Sequence, residues 1–481
     1  MFKGTRLRKL LSENYLFLIV LAGIVLVSFS VGPYQNLDST LEFQATQGVM
    51  TWGKPFVVVA GNVINEPPLG FYIYALFFKV FGASIAAGTV LVTLFGFGCT
   101  ILAYMIGKML YGKLTGLFTA ALFGLSPWEL ILSRSFLEDA QCLFLSMLCL
   151  YIGILAIRKN SVKFAIAAGG LFAAAFLTKF YAVYMLIPLF ILYIYSRPKN
   201  LKRIAGQLIG FCVPVLTSTY YWYQVILGKP LLYIFIHRDF SDLNAAGVTP
   251  TYTFVSTFLL NYGLGYIFVV AVVFSVIIAF SARKHLSKTL IFDFFCLSSI
   301  AVVLVVDAVL GVGFNLKVPY TSAVKYDYQA LPFFCLIAAS LAAKTISLFK
   351  SAKSSVKRSR LFLSVFSLSA AVLLAATIFE TFCNAHKLSI TGYLAFNVKT
   401  NLNPAYGYSL FDIQQLNQGS IQFNLQYLGF ALILIGLVWA LRQQITWAIK
   451  NPLYNFFGRL FRSMNRWIKA KNNVYRTRRP Q

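Results

Sequence analysis

The chain contains few charged residues: 12% of its 481 residues are Asp, Glu, Lys or Arg, whereas 59% are hydrophobic. Soluble domains carry about 25% charged residues, so this composition excludes an ordinary soluble globular protein. Apolar runs of about 20 residues recur along the chain, and each is long enough to span a bilayer as a helix. These runs are continuous rather than alternating, so they favour membrane helices over a transmembrane barrel.

Cysteine and histidine are also scarce and lie far apart. The 7 cysteines fall mostly within apolar runs, and the 3 histidines are His237, His285 and His386. They form neither a disulfide framework nor a paired-thiolate or HExxH-type ligand set. The first apolar run, Tyr15 to Val31, lacks a small-residue cleavage site, so we interpret it as a signal anchor.

An all-α integral membrane fold with about twelve transmembrane helices is predicted from the apolar runs. The predicted spans are 14–32, 84–107, 115–132, 139–157, 164–178, 180–196, 204–224, 256–280, 291–311, 329–347, 362–380 and 425–441. Residues 1–441 then form one transmembrane domain, and residues 442–481 form a basic amphipathic tail on the cytoplasmic leaflet. In the first outer loop, about 33–83, the aromatic stretch from Phe71 to Phe81 predicts a short interfacial helix.

The distribution of charge predicts which side each loop faces. The net charge is +28, which in a soluble protein would suggest nucleic acid. Here the bases cluster at the N-terminus, in alternate connections and in the tail, so both termini are predicted to be cytoplasmic. Most of the acids, other than Glu13 and Asp293, lie in or near outward loops. Solvation explains part of this bias, and the remainder predicts a polar reaction site on the extracytoplasmic face.

Three acids in the first outer loop are candidates for chemistry. Asp38 and Glu42 are spaced i, i+4, so on a helix they would share one face. A carboxylate at the interface can act as a general base, although Asp38 would equally suit a helix N-cap. Glu66 precedes Pro67-Pro68 and is therefore held extended, which suits either a positioned side chain or a plain turn.

Further candidates lie at the ends of later spans. Arg134, Glu138 and Asp139 share a short outward turn, where the carboxylates could bind a cation, accept from a sugar hydroxyl or pair with Arg134. Lys179 and Lys325 are outward bases, contrary to the topology trend. Such bases either contact a lipid phosphate or extend to the headgroups.

Together these residues resemble a known family. The run from Asp38 to Gly82 is similar to the first luminal or periplasmic loop of GT-C fold, polyprenyl-phosphate-dependent glycosyltransferases, in particular glycosyltransferase family 39. That family includes protein O-mannosyltransferases and aminoarabinose transferases. The matching segments are Asp38, Gly53-Lys54-Pro55, Pro67-Pro68-Leu69, Phe81-Gly82, Arg134 and Asp139 after Ser126-Pro127, Leu177-Thr178-Lys179, and Lys325-Tyr326 through Pro332.

The resemblance covers the first 180 residues well and the rest thinly. Three positions depart from the family pattern. Ser39 stands where an acid commonly follows the first Asp, and Glu66 where some members have Lys or His. Lys325 replaces the usual Arg, which keeps the positive charge but loses bidentate contact with phosphate.

The resemblance implies a glycosyltransferase that moves a sugar from a dolichyl- or undecaprenyl-phosphate donor to a protein, lipid or glycan hydroxyl outside the cytoplasm. The setting would be the cell membrane of a prokaryote. By this resemblance, Asp38 is the general base, and the donor phosphate is held by Lys179 and Lys325 with Arg134 and Tyr326. Asp139 and Glu66 would orient hydroxyl groups of the sugar or acceptor, or share a divalent cation. Glu42 and Glu138 would have secondary roles.

A secondary transporter, a lipid-carrier flippase and a non-catalytic scaffold are the alternatives. Transporters place polar residues near the midplane, within broken helices related by repeats. The acids of this chain cluster instead at the outer ends of the predicted spans, and no inverted halves are evident, so the transferase is the favoured interpretation.

Overall fold

The computed structural model describes residues 3–30, 37–58, 61–63, 67–195, 201–226, 228, 265–281, 287–313, 327–351, 357–391 and 420–448. These residues are almost entirely helical. The α-helices are α1 Lys3–Ser30, α2 Leu37–Trp52, α3 Leu69–Phe81, α4 Ile85–Tyr111, α5 Lys113–Gly124, α6 Pro127–Leu132, α7 Asp139–Lys159, α8 Val162–Phe176, α9 Leu186–Tyr195, α10 Leu201–Tyr220, α11 Gly265–Ser281, α12 Ser287–Gly313, α13 Leu331–Ser351, α14 Lys357–Thr391 and α15 Ser420–Ala448. Two 3₁₀ helices (Phe180–Met185 and Asp327–Ala330) and a π-helix (Tyr221–Ile226) adjoin them.

The segment between α1 and α4 contains two helices and a hairpin. Strand β1 (Phe56–Val57) pairs antiparallel with β2 (Asn62–Val63). Helix α3 covers the aromatic stretch in which the interfacial helix was expected. Gly48 of α2 lies against the hairpin, because a Cβ there would be 2.4 Å from the Phe56 carbonyl oxygen. The hairpin therefore packs directly on α2, the helix that carries Asp38 and Glu42.

Among the described residues, three helical segments are long and apolar enough to cross a membrane: Ile85–Tyr111, Asp139–Lys159 and Tyr328–Leu348. Shorter apolar helices cover parts of the other predicted spans. The expectation of one continuous helix over 115–132 is wrong, because α5 ends at Gly124 and Pro127 begins α6. Proline suits a first helical turn but not a helix interior. The run 180–196 likewise begins as a 3₁₀ helix before α9.

Helices α1 and α15 pack closely against each other. A Cβ on Gly23 would lie 2.4 Å from the Gly429 carbonyl oxygen, so only small residues permit this approach. Further along, the Trp439 Nε1 donates to the Tyr15 hydroxyl at 3.0 Å. Residue numbers fall along α1 as they rise along α15. The pair is therefore antiparallel, and the N-terminal end of α1 lies beside the C-terminal end of α15.

A buried polar cluster, the inner cluster, joins α4, α11, α12 and α13. The Lys344 Nζ lies 2.5 Å from Asp293 Oδ2 and donates to Ser275 Oγ at 2.6 Å, and the Tyr111 hydroxyl donates to Asp293 Oδ1 at 2.9 Å. Tyr111 is the last residue of the 27-residue helix α4, which begins beside α3. A helix of that length spans about 40 Å, so this cluster lies far from the segment between α1 and α4.

Candidate active site

The candidate site is built around Glu42, one helical turn after Asp38 in α2. Glu42 is only 4% exposed. Its Oε1 lies 3.4 Å from Lys179 Nζ, and its Oε2 accepts a hydrogen bond from the Glu138 backbone N–H at 3.0 Å. Both carboxylate oxygens therefore face residues that the sequence places more than ninety positions away.

Asp139, the first residue of α7, supplies the second carboxylate. Its Oδ2 lies 3.3 Å from Lys179 Nζ, and its Oδ1 accepts a short hydrogen bond from the Tyr181 hydroxyl. Its position at the helix N-terminus places the carboxylate where the helix dipole favours negative charge. The side chain is fully buried, so it is oriented by these neighbours and not by solvent.

Lys179 is placed between the two carboxylates by the end of α8. Its backbone N–H donates to the Ala175 carbonyl, and its own backbone is extended before the 3₁₀ helix begins. The preceding Leu177 carbonyl accepts from the Leu69 N–H at 2.9 Å, which ties this turn to the start of α3. Glu42, Asp139 and Lys179 thus form a buried, three-residue arrangement that we call the lysine cluster.

Helix α3 packs against the turn that carries Glu138. A Cβ on Gly70 would lie 1.8 Å from Glu138 Oε1, so the glycine makes room for this carboxylate. The Tyr74 hydroxyl donates to the Leu137 carbonyl at 3.1 Å, and its ring packs on Phe136. Burial, followed by the nearby Glu42 and Glu138 carboxylates, raises the pKa of Tyr74 well above its ordinary value, so its hydroxyl remains a donor.

Arg134 contacts another set of residues. Its guanidinium lies 5.6 Å from the centre of the Phe29 ring, and Nη1 donates to Thr93 Oγ1 at 3.4 Å. The sequence left open a pairing of Arg134 with the carboxylates of this turn. Asp139 forms its ion pair with Lys179 instead. A role for Arg134 in binding phosphate stays a prediction.

Three groups were not predicted as site residues: Tyr181, Tyr74 and the pair formed by Glu129 and Tyr328. The Tyr328 hydroxyl makes a short hydrogen bond to Glu129, which is buried in α6. The sequence signal for Tyr181 is its place two residues after Lys179, although aromatic residues are common at such positions.

Several predicted residues lie outside the described part of the chain. Glu66, Lys325 and Tyr326 are not among the described residues, and neither is the Asp38 side chain. Their roles stay predictions. Among the described residues, no group of three or more His, Cys, Asp or Glu side chains is arranged to hold a metal ion. The predicted sharing of a cation by Asp139 and Glu66 is untested, since Glu66 is not described.

Comparisons with known proteins agree with this architecture. The family model described as dolichyl-phosphate-mannose-protein mannosyltransferase matches residues 65–223. The Bacillus subtilis (strain 168) protein YkcB, named as a mannosyltransferase, is 22% identical over 220 residues, which are 45% of this chain and 31% of YkcB. YycA of the same organism, also named as a mannosyltransferase, is 24% identical over 147 residues, which are 30% of this chain and 22% of YycA. The aligned part of the chain thus spans less than a third of either relative.

Among solved structures, ArnT from Cupriavidus metallidurans in the apo state matches with a TM-score of 0.52 and 13% sequence identity, over 88% of this chain and 78% of ArnT. The fold is that of the GT-C glycosyltransferases, so the predicted resemblance to that class is confirmed. In sequence, part of the chain is similar to the family described as dolichyl-phosphate-mannose-protein mannosyltransferase, and in fold the chain is similar to ArnT.

Proposed function

We propose that this chain is a membrane glycosyltransferase that moves a sugar from a polyprenyl-phosphate donor to a hydroxyl group on the extracytoplasmic side. The observation that carries the proposal is the buried Lys179 between Asp139 and Glu42, of which Glu42 belongs to the segment between α1 and α4 of a GT-C fold. The matching family is described by a lipid-phosphate donor, dolichyl-phosphate-mannose, which supports the donor class.

In the proposed reaction, the acceptor oxygen attacks the anomeric carbon of the sugar while the bond from that carbon to the phosphate oxygen breaks. The acceptor proton passes to Asp38, acting as general base. The polyprenyl phosphate leaves with the electron pair of the broken bond, and direct displacement inverts the anomeric centre. Because Asp38 becomes neutral as the phosphate gains a negative charge, the total charge in the site is unchanged.

The remaining residues would bind and orient the substrates. Lys179 supplies a positive charge that stabilises the leaving phosphate, and Lys325 with Tyr326 would add to it as the family resemblance implies. Asp139 would orient sugar or acceptor hydroxyls. Mannose is the sugar named by the matching family, and protein, lipid and glycan hydroxyls are all candidate acceptors.

The test is transfer of a labelled sugar from a polyprenyl-phosphate donor by the purified full chain in lipid vesicles. We expect Asp38→Asn to lower the transfer rate about 10²–10⁴-fold with little change in thermal stability. Gln47→Ala is the matched control, because Gln47 is an exposed residue of the same helix. A wild-type protein that transfers no label from any polyprenyl-phosphate sugar would refute the proposal, and a fully active Asp38→Asn variant would move the role of base to another carboxylate.

A further inference from the structure

Each carboxylate of the lysine cluster has a second partner besides Lys179. The other oxygen of Glu42 accepts from the Glu138 backbone N–H at 3.0 Å, and the other oxygen of Asp139 accepts from the Tyr181 hydroxyl. If Lys179 moved away, each carboxylate would therefore still be oriented by its second partner. The Lys179 ammonium lies 3.4 Å from Glu42 and 3.3 Å from Asp139, whereas tight charge-assisted contacts are about 2.7–2.9 Å. The ammonium is thus shared loosely between two acids.

Building on the proposed function, we propose that Tyr181 is a positioning residue, which holds Asp139 in place when Lys179 turns from the carboxylates to the donor phosphate. A lysine ammonium sits on a flexible four-carbon stem and carries three N–H donors, so it can exchange one anionic partner for another. With the Tyr181 hydroxyl present, Asp139 keeps a donor after Lys179 leaves. Without it, Asp139 depends on Lys179 and competes with the phosphate for the same ammonium.

The local backbone supports this division of roles. Lys179 is extended (φ −151°, ψ 142°), and the 3₁₀ helix that starts at Phe180 brings Tyr181 back to the same carboxylate. The Tyr181 ring is stacked on Tyr184 with a centroid distance of 6.5 Å, and both rings are buried. The hydroxyl is therefore held on a buried ring, whereas the ammonium is carried at the end of a four-carbon stem with more rotatable bonds.

The experiment measures binding of undecaprenyl phosphate to the purified full chain in detergent, with undecaprenol as the probe that lacks phosphate. We expect Tyr181→Phe to weaken the affinity for undecaprenyl phosphate about tenfold and to leave undecaprenol binding unchanged. Asp139→Asn removes the competing carboxylate, so it should bind undecaprenyl phosphate at least as tightly as wild type. The double variant Tyr181→Phe/Asp139→Asn should regain the affinity lost in Tyr181→Phe. Tyr184→Phe, which removes the hydroxyl of the neighbouring buried tyrosine and keeps its ring, is the control and should bind normally.

Each outcome decides between the two proposals. If wild type binds undecaprenyl phosphate and Tyr181→Phe binds it equally well, the role of Tyr181 is refuted and the proposed function stands. A loss in Tyr181→Phe that Asp139→Asn does not reverse would show a purely structural role, and weaker binding by Asp139→Asn alone would also overturn the inference. If wild type binds undecaprenol and undecaprenyl phosphate alike, the phosphate is not recognised, and both proposals fail.

Discussion

Glu129 shows how much the fold can depend on one buried carboxyl group. Its side chain is buried, and it accepts a short hydrogen bond from the buried Tyr328 hydroxyl. Removing one partner of a buried hydrogen bond leaves the other unsatisfied, which costs about 1–3 kcal/mol. Glu129 lies in the short helix α6, next to the turn that leads to the lysine cluster.

We predict that Glu129→Ala lowers the free energy of unfolding by at least about 1–3 kcal/mol, because the buried Tyr328 hydroxyl loses its acceptor. Glu129→Gln is the matched variant: its amide oxygen can still accept from the Tyr328 hydroxyl, so it should lose less stability and retain the fold. Thermal unfolding of both variants in detergent measures the effect. Equal losses in the two variants would show that the hydrogen bond to Tyr328 does not stabilise the fold.

Helix α3 affects the site at Gly70, where the lack of a side chain leaves room for Glu138. Alanine in place of glycine inside a helix ordinarily adds about 0.5–1 kcal/mol of stability. At Gly70 the new Cβ would overlap Glu138, whose backbone N–H holds Glu42. We therefore predict that Gly70→Ala destabilises the protein by about 1–3 kcal/mol, the usual cost of overpacking, and lowers the transfer rate.

Gly170 in α8 supplies the matched control, because a Cβ there meets nothing within 4 Å. Gly170→Ala should be neutral or slightly stabilising. Thermal unfolding and transfer rate, measured for both variants, give the comparison. If both substitutions have the same effect, the contact between Gly70 and Glu138 does not position the site.

The sequence predicts the helices better than it predicts how the site residues come together. Continuous apolar runs predict helices well, since any spanning backbone must bond within itself. Apolar character alone does not reveal the break between α5 and α6, which is marked instead by Pro127, a residue that suits a first helical turn and not a helix interior. The sequence predicts Lys179, Asp139 and Glu42 as candidates from their types and sidedness. It does not predict that they meet, because Glu42 and Lys179 are 137 positions apart and only the packing of α2, α7 and α8 joins them.

For the whole molecule, the inner cluster connects four helices at the end of α4 that lies away from the proposed site. Asp293 and Lys344 are both nearly inaccessible. Removing one partner of a buried ion pair costs about 3–5 kcal/mol, whereas replacing both with well-packed hydrophobic residues of similar volume is often neutral. We predict that Asp293→Leu and Lys344→Met each destabilise the protein by about this amount, and that the double variant regains most of the stability.

Thermal unfolding of the two single variants and the double variant tests this prediction. The double variant should also transfer sugar at nearly the wild-type rate, because the inner cluster is about 40 Å along α4 from the segment between α1 and α4. A double variant as unstable as either single variant would show that the polar contacts to Ser275 and Tyr111, and not the ion pair, hold these helices together.

The antiparallel pairing of α1 with α15 has a consequence for the order of assembly. Synthesis releases α1 before the other described helices and α15 after all of them, so the face of α1 around Gly23 stays in the bilayer for a time without its partner. The interface at Gly23 and Gly429 can form only once α15 has been made. A ribosome that stalls before α15 would therefore leave an intermediate with a smooth, unoccupied helix face, the kind of surface that membrane chaperones and quality-control proteases recognise.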